Sequence, residues 1–384
     1  MQKVYLDNAA TTHMHEEVIQ EMVNAMRFNF GNPSSSHFFG RESKGYIEKA
    51  RKTIAQYTGV TSAEIIFTSG GTEANNLILR SSVEYLGVER IITTRIEHSC
   101  VAETVNSLNK NQNIQVDYVN LNDKGEIDLE DLQQLLKASD KKTIVSIMHA
   151  NNEIGNLNPI EKIGDLAHAH DAYYHSDMVQ TLGHYAINLE NLPVDFASSS
   201  AHKFHGPKGT GFAYIKKSTG LKAQITGGGQ ERNMRSGTEN VHGILGLGKA
   251  FEMANENLEK DMDYIFALKE YAIQELQSAF PDIHFNGMCA TENSLYTLLS
   301  LSLPFKDGLI GFELDLRGIA CSQGSACQSG AAKSSRVLNE ILSEDMIAST
   351  TPLRISFSTH NKKEDIDYLL SVLKEISARH SATA

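Results

Sequence analysis

Residues 64–86 read EIIFTSGGTEANNLILRSSVEYL. A short apolar run enters a Gly-Gly turn, and the residues after it carry apolar side chains at helical spacing. This strand, glycine turn and helix recur in looser form along the first two thirds of the chain. RIITTRIEH, IQVDYVNL, TIVSIMHAN and YYHSDMVQ read as strands, and VAETVNSLNK, DLEDLQQLLKAS and IEKIGDLAHAH as helices between them. Alternation of this kind builds a mostly parallel sheet covered by helices on both faces, the α/β class.

VDFASSSAHKF and GTGFAYIKK follow at hairpin-like separation, and a long helical region from about Val241 to Phe280 leads into a second unit. There SLYTLLSLSL and LRISFS read as strands and DIDYLLSVLKEISARH as a closing amphipathic helix, an α+β pattern. The expected division is a large domain over 15–255 and a smaller one formed by 1–14 with 256–384.

At 384 residues the chain can bury a substantial core. Its net charge of −12, from 35 basic and 47 acidic residues, argues against nucleic acid as a partner. No apolar run has the length of a membrane span and the start carries no apolar signal segment, so the reading is cytoplasmic. The four cysteines, at 100, 289, 321 and 327, are too few for a disulfide scaffold and form no C-x-x-C pair. His168 and His170 are two apart near a helix end, which suits surface histidines, and no metal site is expected.

Ligands of open α/β sheets bind beyond the carboxyl ends of the strands, and four such ends carry unusual chemistry. TSGGTEANN at 68–76 offers the free N–H groups of a helix start, a phosphate cradle, although such turns are also common as plain structure. In SSSAHKFHGPKG at 198–209, Lys203 lies among Ala, Phe and Gly neighbours, a setting that suits Schiff-base chemistry. Asp177 ends the run YYHSD, and a carboxylate there needs a pyridinium nitrogen or a structural arginine as partner. His98 closes RIITTRIEH at the same edge, and taken by itself such a residue is more often a satisfied core or helix-capping histidine. Together these residues describe a pyridoxal-phosphate site.

Ten ordered blocks then resemble the cysteine desulfurases of the NifS/IscS type, within the fold-type I pyridoxal-phosphate enzymes. They are YLDNAATT at 5–12, FGNPSSSH at 30–37, FTSGGTEANN at 67–76, EHSCV at 97–101, NNEIG at 151–155, HSDMVQ at 175–180, SSAHKFHGPKGTG at 199–211, GGGQERNMRSGT at 227–238, GSACQSG at 324–330 and LRISF at 353–357. The resemblance implies that Lys203 binds pyridoxal 5'-phosphate covalently, Asp177 pairs with its ring nitrogen, Gln180 meets the ring hydroxyl and His98 stacks on the ring. Gly71, Thr72, Ser200 and His202 would hold the phosphate, with Thr238 reaching the phosphate of the neighbouring subunit in a homodimer. Asn152 and Arg354, with Asn32, would bind the carboxylate of the substrate L-cysteine.

Cys327, in the long-loop form of the family motif, would be the nucleophile that takes the sulfur as a persulfide. It would pass that sulfur to an acceptor protein such as an iron–sulfur scaffold or a thiolation enzyme. Ser176 and Met178 flank Asp177 where the family has Val and Ala, and Gln323 and Gln328 replace Ser and Thr, leaving the acting side chains in place. Other readings stay open at this point: an aminotransferase or selenocysteine lyase on the same scaffold, a non-catalytic relative, or a redox or metal module built on Cys321 and Cys327.

Overall fold

The computed structural model describes residues 2–323 and 335–383. The chain opens with strand β1 (Val4–Tyr5) and helices α1 (Glu16–Phe28) and α2 (Phe38–Thr58). The large sheet is then laid down as β2 (Ile65–Thr68), α3 (Gly71–Leu86), β3 (Arg90–Thr93), α4 (Ser99–Gln112), β4 (Gln115–Tyr118), α5 (Leu129–Lys137), β5 (Thr143–Ser146), α6 (Ile160–Ala169), β6 (Tyr173–Asp177), β7 (Phe196–Ser200) and β8 (Gly211–Ile215). Helices α7 (Val241–Glu256) and α8 (Leu258–Ala279) follow. The remainder is β9 (His284–Phe285), β10 (Leu298–Leu303), α9 (Ile310–Leu316), β11 (Ile319–Ala320), α10 (Arg336–Ile341), α11 (Glu344–Ser349), β12 (Thr351–Ser356) and α12 (Lys363–Thr383).

The seven strands run in the order β2-β8-β7-β6-β5-β3-β4. From β7 to β4 every pair is parallel, whereas β8 lies antiparallel to both β2 and β7. This is the α/β architecture expected from the sequence. Most of these strands are buried on both faces, and side-chain alternation divides them. Ile65, Phe67, Phe212 and Tyr214 pack beneath α1, α2, α6 and α7, while Ile66, Ala213 and Ile215 pack beneath α3 and α4. Helix α7 approaches α2 so closely that a Cβ on Gly248 would stand 2.7 Å from the Cβ of Ala50.

A second core gathers around an antiparallel sheet of order β12-β10-β9. Leu299, Leu301, Leu303, Leu353 and Ile355 pack there against α8 and α12, and Val4 and Leu6 from the start of the chain join them. β1 pairs in parallel with β11, and Asp7 bridges to Ser356. The first dozen residues are therefore threaded between the two cores.

Three sequence expectations differ in detail. The helical region 241–280 is two helices, because Asn257 leaves helical geometry at φ −103° and ψ 7°. The strand read through to His98 ends at Thr93, where its ladders to β4 and β5 stop, and His98 caps α4. Helices α1 and α2 had no counterpart in the pattern reading.

Candidate active site

Strands β6 and β7 end side by side, with Asp177 opposite Ser198, so the carboxylate, Ser200 and the turn carrying Lys203 arrive at one edge of the sheet. A cavity of about 430 Å³ opens there, and its wall includes Asp177, Ser200, His202, Lys203 and Arg354. Gly71, Thr72, His98, Asn152 and Gln180 also line it.

Asp177 is only 5% exposed, yet its partners are neutral. Asn75 donates its amide to Oδ2 at 2.7 Å and the Val179 N–H donates to Oδ1 at 3.0 Å. Among the described residues no arginine pairs with it, so the structural-arginine alternative is not what the fold provides. Asn75 is itself fixed by the buried His175 ring, 3.0 Å away.

Lys203 ends a single helical turn, Ala201–Lys203, directly after β7. Its amine donates to the carbonyls of Ala9 and Ala10 at 2.6 and 2.8 Å. Gln180 donates to the same Ala9 carbonyl at 3.1 Å. The block DNAATT is thus one wall of the site. Ala9 is held by the Ser356 hydroxyl, Asn8 donates to the Ser356 carbonyl, and Thr12 donates to the carbonyl of His202.

The anion-binding corner is built from backbone as much as side chain. Gly70 sits at φ 144°, a conformation glycine adopts freely, and turns the chain from β2 into α3. A Cβ on Gly71 would stand 2.6 Å from a Val179 methyl, so the helix start lies against the loop after Asp177. Thr72 in the first turn, Ser200 and His202 border this corner. His202 Nδ1 is buried with no partner, and its pKa is pushed down to about 4 by burial, with Lys203 and Lys208 adding to the effect. A buried polar nitrogen without a partner is costly, and with its proton on Nδ1 the ring would donate to a phosphate oxygen while the α3 N–H groups donate to the others. The residues therefore fit the phosphate of the expected cofactor.

His98 is a helix cap, one of the readings open from the sequence, and it also lines the cavity. Its Nδ1 accepts from the Cys100 N–H at 3.2 Å as a helix cap, while the ring faces the cavity. Burial lowers its pKa, Asp177 opposes that and Lys203 reinforces it. The Cys100 thiol lies 3.0 Å from His98 Nδ1, and burial first and Asp177 second push it up to about 12. It is a protonated thiol beside the cavity.

Arg354 is 3% exposed on β12, unlike a strand-edge arginine in solvent. One terminal nitrogen donates to the Asn152 carbonyl at 2.9 Å and the other to Asp7 Oδ1 at 2.7 Å, while its Nε is buried without a partner. Asp7 thus restrains the fork and offsets its charge. The sequence reading missed this role, as it missed Asn75 and the Ala9 and Ala10 carbonyls, although all four residues stand within quoted blocks.

Asn32 and Thr238 lie outside this cavity and are exposed. Asn32 turns its Oδ1 back to the Ser34 N–H at 2.9 Å. The loop bearing Thr238 is anchored at Glu231, which takes a bidentate pair from Arg51 at 2.7 and 2.8 Å and the Phe67 N–H at 2.8 Å. Cys321 follows β11 against the second core, and burial raises its thiol to about 12. Cys327 lies outside the described residues.

Residues 4–369 match the family model described as aminotransferase class-V. The chain is 42% identical over 378 residues to the cysteine desulfurase IscS of Dictyoglomus turgidum, covering 97% of this chain and 94% of that one. It is 39% identical to the putative cysteine desulfurase IscS 1 of Bacillus subtilis, with 95% and 96% covered. Among solved structures, a NifS-like protein superposes with a TM-score of 0.90 at 37% identity, covering 98% of this chain and all of that one. SspA in complex with cysteine superposes at 0.79 and 31% identity, covering 94% of this chain and all of the other.

Proposed function

Because the chain belongs to the class-V aminotransferase family, we propose that it is a pyridoxal-phosphate-dependent cysteine desulfurase, which takes sulfur from L-cysteine and releases L-alanine. The observation that carries this reading is the single cavity shared by the Lys203 amine, the Asp177 carboxylate and the phosphate corner at His202. When bound, pyridoxal phosphate supplies an electron sink for a carbanion at the substrate Cα.

The protein's own groups then divide the work. Lys203 anchors the cofactor and, once released, moves the proton at Cα, its approach set by the Ala9 and Ala10 carbonyls. Asp177 holds a proton at the ring nitrogen, and Asn75 keeps the carboxylate aimed. Gln180 meets the ring hydroxyl and His98 covers the ring face. Thr72, Ser200 and His202 take the phosphate, with Gly71 supplying backbone at the helix start. Arg354 and Asn152 hold the substrate carboxylate, Arg354 through the groups that Asp7 leaves to it.

The Cys327 thiolate attacks the substrate sulfur. An S–S bond forms, the substrate C–S bond breaks, and the carbon fragment gains protons to leave as alanine. The persulfide on Cys327 then passes to an acceptor for iron–sulfur assembly or thiolation. Asn32 and Thr238, exposed in one subunit, serve the site of a homodimer, Thr238 at the neighbour's phosphate. We place the large domain at 15–255 and the smaller at 1–14 with 256–384. We propose a cytoplasmic location; none of the helices among the described residues is long and apolar enough to cross a membrane.

Mass spectrometry after one anaerobic turnover with L-cysteine tests the reading. Alanine in the solution and one extra sulfur on the peptide carrying Cys327 are expected, with the sulfur absent from Cys327→Ser. Pyruvate or glutamate exchange without sulfur transfer would instead identify an aminotransferase.

A further inference from the structure

Three histidines far apart in the sequence, His15, His205 and His360, converge outside the wall of the cavity that holds Lys203. One ring nitrogen from each lies within 4.8 Å of the other two. His15 precedes α1, His205 follows Lys203 by two residues, and His360 lies between β12 and α12. We propose that they form a binding site for a divalent transition-metal ion of the zinc type, held by three imidazoles with a fourth position left to water.

The chemistry of the donors selects the ion. Neutral imidazole suits zinc, cobalt, nickel and copper, whereas calcium and magnesium demand oxygen ligands. Three protein ligands with an open position are a common zinc arrangement.

The geometry of each ring supports ligation beyond mere proximity. His205 Nδ1 donates to the His13 carbonyl at 2.7 Å, which fixes the tautomer and leaves the Nε2 lone pair for a metal. A carbonyl in that position is the usual outer partner of a metal-bound histidine. His205 also holds φ at 62°, an uncommon conformation for a side chain other than glycine. Its backbone is pinned there from both sides: its N–H donates to the Thr12 hydroxyl at 2.7 Å, and its carbonyl accepts from the His15 N–H at 3.2 Å.

His15 stands at the N-cap of α1, where Ser, Thr, Asp or Asn would stabilise the helix, yet its side chain makes no capping bond. Its ring turns instead onto His205, 4.2 Å away between centroids. Among the described residues, no hydrogen bond engages a ring nitrogen of His15 or His360. His360 is the exposed member and faces a cleft of about 370 Å³ bordered also by His13, Asn361 and Asp365, which gives an ion a path in.

Zinc–nitrogen bonds of ~2.0–2.1 Å in a tetrahedral site set the donor atoms about 3.3 Å apart. Closing from the present spacing requires the His15 ring to turn off the face of His205, which keeps its bond to the His13 carbonyl. The bound ion would tie the N-terminal wall, the lysine turn and the segment after β12 to one centre.

The test uses the cofactor-loaded full-length protein dialysed free of metal, in wild type, His360→Ala and His15→Gln forms. Each is first shown to melt cooperatively in chelator. Equilibrium dialysis against Zn(II) should give the wild type one more bound ion per chain than either variant, which subtracts any binding at the cysteines or the cofactor. Saturating Zn(II) should raise the wild-type Tm by about 2–4 °C more than that of His360→Ala. Co(II) substitution should give visible ligand-field bands that both variants lose. Equal stoichiometry in all three proteins, or an undiminished Tm rise in both variants, overturns the proposal. Should one variant fail to melt cooperatively, His360→Asn replaces it with the same expected losses.

Discussion

Lys203 and Lys269 both turn their amines into the protein, and they resemble each other locally. Lys203 gives its amine to the carbonyls of Ala9 and Ala10, and Lys269 on α8 gives its amine to the Ser294 hydroxyl and the Leu295 carbonyl, both at 2.8 Å. Lys269 is the more buried, at 2% exposure, and burial pushes its pKa down to about 8. Yet it faces the interior of the second core, whereas Lys203 faces a cavity shared with a carboxylate and a histidine nitrogen that lacks a partner. Burial and hydrogen bonding therefore do not identify a reactive lysine. What identifies it is open space bordered by polar atoms left unsatisfied.

The sharpest way to break that comparison is to remove each amine. Lys203→Ala should lower alanine production from L-cysteine by at least ~10³-fold, since both the anchor and the proton carrier are lost. Its Tm should stay within about 2 °C of wild type, read by calorimetry. Activity retained within tenfold would place the reacting amine elsewhere.

Lys269→Met should leave turnover unchanged and act on stability through pH. Between pH 8 and 10.5 the unfolded chain still carries the Lys269 proton while the folded protein has released it, so wild-type stability rises with pH across that window. The rise from this residue is at most about 3 kcal/mol, and both forms carry the charge below pH 8. Urea unfolding at pH 7.5 and 10 should show that increment in the wild type and its loss in Lys269→Met. Identical pH slopes would mean that the buried amine titrates normally.

The smallest expected effect tests the unsatisfied atom. His202→Ala should weaken cofactor retention by about tenfold, the size of one hydrogen bond to a charged acceptor, measured by dialysis and return of the cofactor absorbance. Wild-type retention would assign His202 Nδ1 to water.

Much of this was legible in the sequence for definable reasons. The large sheet announced itself because its strands are short apolar runs bounded by turns, and Lys203 and Asp177 stood out because charged residues at the ends of such runs need an explanation. Lys269 passed unnoticed because ALKEYA reads as an ordinary helix surface, and only the loop at Ser294 buries it. Helices α1 and α2 went unread although Val18 and Ala25, and then Ile47, Ala50 and Ile54, lie at helical spacing. The tie between Asp7 and Arg354 spans 347 positions, and no local pattern reports a pairing of that range.

That long tie also sets an order of events during synthesis. The wall that positions Lys203 leaves the ribosome well before Ser356, yet Asn8 and Ala9 are held by Ser356. The large sheet can be complete while the lysine still has no fixed wall to lean on. Until β12 is in place the wall lacks its Ser356 anchor and Asp7 lacks Arg354, so a chain ending before β12 would have no working site.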